Sequence, residues 1–290
     1  MRYSRNGATR GVLLVAILAL GACAELPASE SLNGNASLAG PADGGQTSAK
    51  PAGENDTLRL ARDVEARGSL ATALPLYERA AALPNADVSV QVKLGDTYTK
   101  LGRHDDAATV YRAALAKQPD NGPALLGLGG ILVRAGKAEE GMAMLAKAAP
   151  LVNSARAYDR LGIAHIALGQ PREALASFEQ AHSLDAADLD ITSNLTLAAA
   201  LSGHKDKAVS LAKTTLQSAG VQDYQRRNLL LAMCIVGAEE DAKRATTSGS
   251  GGGVGDMDAL IKQARDIRQI STPKGRALAL ANARSAAVTN

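Results

Sequence analysis

A ladder of glycines constrains this chain more than any other feature. Gly68, Gly102, Gly136, Gly169, Gly203 and Gly237 stand 34, 34, 33, 34 and 34 residues apart. Self-similarity at one period marks a repeat solenoid, in which each unit buries its apolar face only against its neighbours. The period suits two helices and a turn. The glycine marks that turn, where the first helix ends in a left-handed residue. An array of this kind presents a surface, so the ladder points to binding before catalysis.

Composition agrees with helices. The chain is 46% hydrophobic but only 2% aromatic, with no Trp and one Phe. Alanine and leucine therefore carry the burial, whereas a sheet protein would draw on more Val, Ile and aromatic residues.

Aligned on the ladder, units fall at 54–87, 88–121, 122–154, 155–188 and 189–222, with a truncated sixth from 223. The second is the clearest, with Leu94, Gly95, Tyr98, Gly102, Ala107, Tyr111, Ala114 and Pro119. Those residues, in that order, resemble the tetratricopeptide repeat (TPR). The resemblance implies an all-α fold, a superhelical solenoid of antiparallel helix pairs over residues 54–245. The first small site of the second helix recurs as Ala73, Ala107, Gly141, Ala174, Ala208 and Ala242. The later one recurs as Ala80, Ala114, Ala148 and Ala181, then Thr215. Tyr77, Tyr98, Tyr111, Tyr158 and Phe178 sit on repeat positions and are expected as core wedges. The pattern weakens towards the C-terminus, where Thr196 and Leu230 replace small residues and Ala212 replaces the aromatic. Terminal repeats are commonly atypical. The single 33-residue step, near Pro150, predicts a local kink between the third and fourth units.

Residues 1–22 read as an export signal, with a basic start at Arg2, Arg5 and Arg10 and an apolar run from Val12 to Leu20. That run is short of the roughly 20 apolar residues that span a bilayer. Leu20, Gly21, Ala22 and Cys23 resemble the lipobox of bacterial lipoproteins. The resemblance implies cleavage before Cys23, acyl chains on Cys23 as the only non-protein group, and a lipid anchor on the periplasmic face of the outer membrane. Several acyl chains hold a protein where one would not. Subtracting those three arginines from 32 basic residues leaves 29 against 29 acidic ones, giving no electrostatic reason to expect nucleic acid. Residues 23–53, rich in Ala, Gly, Ser and Asn, read as a tether with a reach of roughly 30 Å. Residues 246–256 read as a Gly/Ser linker. Within 257–290, Met257, Leu260, Ile261, Ala264 and Ile267 recur at helical spacing. They predict a short amphipathic helix that caps the array or docks on a partner, followed from Pro273 by a tail.

A catalytic constellation is absent from the sequence. His104, His165, His182 and His204 form no metal motif, and no cysteine pair offers a zinc site. His104 and His204 are expected at exposed starts of second helices, and Cys234 as a buried thiol on an apolar helix. The expectation is a non-enzyme without cofactor, metal or small-molecule substrate.

What remains is the surface of the first helices. TPR geometry, by resemblance, puts Val92, Asp96, Leu126, Val133, Asp159, Ile163, Ile166, Ser193 and Leu197 on it, with Arg134, Arg156, Arg160, Asn194 and Asn228 nearby. The Lys/Asn/Arg set by which some TPR proteins grip a terminal carboxylate is not reproduced, since Val92 and Asp96 stand where Lys and Asn would be expected. The stretches Leu60–Gly68, Ala73–Ala80 and Arg227–Ala232, with the order of lipobox, tether, repeats and tail, resemble the TadD lipoproteins of tight-adherence (Flp-type) pilus assembly. That resemblance implies a scaffold that helps a pilus secretin, or another component of the Tad machinery, to assemble. An adaptor for cell-wall hydrolases or another envelope complex is the alternative within the binding class, and an enzyme or enzyme activator is the alternative outside it.

Overall fold

A computed structural model describes residues 54–247 and 257–286. The described residues hold fourteen α-helices and no strand. They are α1 (Glu54–Ala66), α2 (Leu70–Ala81), α3 (Val88–Lys100), α4 (His104–Lys117), α5 (Gly122–Arg134), α6 (Ala138–Val152) and α7 (Ala155–Ala167). They continue as α8 (Pro171–Leu184), α9 (Leu189–Leu201), α10 (Lys205–Leu216), α11 (Asp223–Ile235), α12 (Glu239–Thr247), α13 (Met257–Gln269) and α14 (Pro273–Ala286). The first twelve pair off as six helix hairpins in a TPR-like solenoid, each packed on the next. No described helix is long and apolar enough to cross a membrane.

The ladder glycines do one local job six times. Each has φ between +69° and +86°, which costs an L-residue with a Cβ roughly 1–2 kcal/mol. In the second unit Gly102 N–H bonds Thr99 O at 3.1 Å, and Arg103 N–H reaches back to Tyr98 O at 2.9 Å. The long reach recurs from Ser69, Lys137, Gln170, His204 and Ala238. It satisfies carbonyls that the end of a first helix would otherwise leave unpaired.

First helices begin differently, with side-chain caps. Asp87, Asn121, Ser154 and Asp188 accept from backbone N–H groups of α3, α5, α7 and α9, and Gln222 with Gln225 closes a capping box on α11. The missing residue of the 33-residue step comes out of a connection. α6 runs through Pro150 to Val152, and only Asn153 and Ser154 separate it from α7. Asn153 turns the chain with φ 44°, the one described left-handed residue that is not glycine.

Small residues set how closely the pairs approach. Ala73, Ala107, Ala174, Ala208 and Ala242 are fully buried. Gly141 lies so near α5 that a Cβ there would stand 2.7 Å from Gly129 O. The Tyr111 ring fills the space that Gly95 and Gly127 leave open between α3 and α5, and Phe178 does the same beside Gly162.

The chain past Pro273 is where sequence and structure part. It was expected as a tail, yet it forms α14. Proline there starts a helix rather than ending order, because a first-turn residue needs no N–H partner. α13 lies on α11 and contributes Leu260, Ile261, Ala264 and Ile267 to the core; Arg265 and Arg268 reach Glu239 of α12 at 2.8 and 3.1 Å. α14 then runs back to α7, α8 and α9, burying Ala277 and Leu280. Lys274 and Leu278 close over Gly169, where a Cβ would stand 2.8 Å from Lys274 Cγ. The degenerate last units are thus the covered ones. The second half of α11 shows no polar side because Leu229 through Ile235 are all buried beneath α9, α12 and α13.

Candidate functional site

The first helices touch in order, α3 to α5, α5 to α7, α7 to α9 and α9 to α11, and so form one continuous face. The C-terminal helices cover its far end. Ile163 and Ile166 of α7 pack against the same cluster as Leu260, Ile267 and Leu280. Its near part, over α3, α5 and the start of α7, carries no such cover.

The expected groove residues divide into two sets. Val92, Leu126, Val133 and Leu197 are buried and give the face little surface. Val133 shows why, since it points at α6, where a Cβ on Gly141 would stand 2.6 Å from its Cγ2. Ser193 is buried as well. The polar set stays at the surface: Asp96, Arg134, Asp159, Arg160 and Asn194 are half-buried, and Arg156 is exposed. Asn228, also expected near the face, is buried under the C-terminal cover.

These polar residues tie helices together within a unit and across successive units. Tyr111 Oη donates to Asp96 at 2.6 Å, tying the second helix of unit two to its first. Arg160 Nη1 donates to Leu126 O at 3.1 Å, one full repeat away. It lies over Gly130, whose missing side chain makes room, as a Cβ there would stand 3.4 Å from Nη1. Asn194 Nδ2 donates to Asp159 at 2.9 Å, again one repeat on. Asp190 accepts from Tyr224 and from Gln225 Nε2.

Electrostatics single out the middle of the row. Burial lowers the Arg160 pKa to about 10, and the charges of Arg156 and Arg134 push it further in the same direction. Burial and then Arg156 lower Arg134, whose Nε is buried without a hydrogen-bond partner. Asp159 is raised to about 6, by burial first and by Asp188 and Asp190 after it, against the bond from Asn194. His104, expected at an exposed helix start, is half-buried, and its pKa falls through burial and the charge of Arg134. The α3–α4 turn brings it within electrostatic reach of Arg134 at the end of α5, which ladder spacing alone does not register.

Other parts of the chain offer little chemistry. Among the described residues no group of His, Cys, Asp or Glu could hold a metal ion. Cys234 is fully buried, and burial raises its thiol to about 11, which leaves it protonated at neutral pH. Leu20, Gly21, Ala22 and Cys23 lie outside the described residues, as do the tether and most of the Gly/Ser linker; the first two linker positions, 246 and 247, close α12.

Comparison with known proteins bears on the fold. The model of the cilia and flagella-associated protein 70 middle TPR-like domain matches residues 57–251, well over half of the chain. The chain belongs to that TPR-like family. Among solved structures, Pseudomonas aeruginosa pilF is 15% identical with a TM-score of 0.57, over 73% of this chain and 96% of that one. The MamA RS-1 ArsTM double mutant is 19% identical with a TM-score of 0.50, over 57% of this chain and 93% of its own. At these identities the likeness of this TPR-like chain to either is one of fold. No curated protein matches it. A TPR-like array is a scaffold for protein–protein interaction.

Proposed function

We propose that this TPR-like chain is an outer-membrane-anchored scaffold of the Flp/Tad pilus machinery, binding a segment of a secretin or another machine component on its first-helix face. One observation carries the binding part: the uncovered polar row over α3, α5 and α7, continuous with a far end closed by the chain's own α13 and α14. Cys23 and its acyl chains supply the anchor, and residues 24–53 supply the reach. The pilus assignment rests on the sequence resemblance of the lipobox, the tether and the three quoted stretches.

A photo-crosslinking residue at Lys93, exposed on α3, tests the partner directly. A secretin or another Tad component should be recovered from cells, and the same residue at Lys117 on α4 should recover neither. Recovery of a cell-wall hydrolase instead transfers the assignment to the adaptor reading. Unchanged secretin abundance and surface pili after gene deletion would end the pilus reading. Cys23→Ser should release the protein from the outer-membrane fraction, and its retention there would overturn the anchor.

A further inference from the structure

The middle of the first-helix face carries more positive charge than its surroundings balance. Arg134 ends α5, while Arg156 and Arg160 stand one turn apart on α7. The charge of Arg156 acts on both Arg134 and Arg160, and Arg134 acts on Arg160 as well. None of the three enters an ion pair among the described residues.

Two carboxylates act on Arg160, Asp96 and Asp159, so three guanidiniums are set against two acids, with no ion pair between them among the described residues. Asp96 accepts from Tyr111, and Asp159 accepts from Asn194 and is itself held towards its neutral form. His104 is held towards its neutral form from the α4 side. Arg160 spends one N–H on Leu126 O, and Arg134 Nε has no partner at all. A folded chain tolerates desolvated guanidiniums that repel one another when something it binds relieves them.

We propose that Arg134, Arg156 and Arg160 form a receptor for the carboxylates of an acidic, extended segment of a protein partner lying across α5 and α7. This rests on the reading that the first-helix face is the binding surface, and it names the chemistry that surface selects. Guanidinium forks match carboxylates two bonds at a time, and desolvated forks gain most from doing so. A flat anionic membrane is the poorer fit. It would meet exposed Arg156, whereas Arg160 and the buried Nε of Arg134 lie deeper, within reach of a narrow chain.

The test is fluorescence anisotropy on the mature chain with a labelled hexaglutamate peptide, hexaglutamine as neutral control, and phosphatidylglycerol vesicles as a separate arm. Hexaglutamate should bind, weaken as salt rises, and lose at least about tenfold in affinity in Arg134→Gln/Arg156→Gln. Lys117→Gln, on exposed α4, should leave binding unchanged. The double variant should melt no lower than the parent, because it removes repulsion, whereas purely structural arginines would lower the midpoint on removal. The proposal is overturned if hexaglutamate does not bind, if hexaglutamine binds equally, if vesicles bind and the peptide does not, or if Lys117→Gln weakens binding as much as the double variant. Crosslinking at Lys93 without hexaglutamate binding would remove the acidic partner and keep the surface. The reverse result would keep the anion receptor and remove the partner assignment.

Discussion

A Cβ on Gly127 would stand 2.3 Å from Cζ of Tyr111, closer than any two such atoms can lie. The ring has little room to retreat, because Tyr111 is 1% exposed and packs so closely on Gly95 that a Cβ there too would stand 2.6 Å from its Cε1. Gly127→Ala therefore overpacks the joint between α3 and α5. Overpacking costs about 1–3 kcal/mol, against a gain in helix propensity of about 1 kcal/mol. Urea unfolding should show net destabilisation, and Tyr111→Leu in the same chain should recover part of it. Gly102→Ala is a contrast: nothing lies within 4 Å, and its cost comes from φ +75° alone.

The raised pKa of Asp159 has a definite sign. The carboxyl binds its proton more tightly folded, at about 6, than at its ordinary 3.8. Its favourable contribution is whole below about pH 4 and fades as pH rises through 6. Asp159→Asn keeps a hydrogen-bonding group opposite Asn194 and removes that loss. The variant should be more stable than the parent above pH 6, by on the order of 1 kcal/mol. Below pH 4 the two should converge, as read from thermal midpoints across the pH range.

Cys234 reports on the docking of α13. In a Cys23→Ser background it is the only thiol, fully buried and with its pKa raised to about 11. Iodoacetamide should react with it only through opening of the helices above it. Ile261→Ala, which loosens α13 at a 5% exposed core position, should speed alkylation at least about tenfold, in line with the 2–5 kcal/mol such truncations cost.

Two truncations separate the roles of the C-terminal helices. Ending the chain before Pro273 removes Ala277 and Leu280 from the core and bares the Gly169 turn. The last units should keep their hydrogen-exchange protection. Ending it before Met257 also strips Leu260, Ile261 and Ile267 from α11. Exchange should then accelerate through Leu229–Ile235, while α3 to α6 stay protected.

Much of this architecture was legible because each first helix ends on a glycine that only a left-handed turn requires. The aromatic wedges were legible too, since Tyr111 and Phe178 share one place in the repeat. Val133 and Leu197, expected on the groove, are buried, because spacing cannot tell a position facing outward from one facing a packed helix. α14 was missed because Pro273 and an alanine-rich run read equally as a stop and as a first turn. The signal for the cover was present in α11, whose unbroken run from Leu229 to Ile235 leaves no side for water. Arg134, Arg156 and Arg160 were legible as polar neighbours of the face, but not as a cluster, because they come from two units and meet through side chains far longer than the repeat resolves.

By returning to α7, α14 turns the last three units into a closed circuit of contacts, whereas the first three remain an open chain of nearest neighbours. The molecule is thus a spring clamped at one end. The clamped half is braced by α13 and α14, and the free half is held by nearest-neighbour contacts alone, which makes it the more compliant of the two. A pull transmitted along a bound segment would be absorbed between α1 and α6, with the C-terminal units as the fixed anchor point against which that strain is measured.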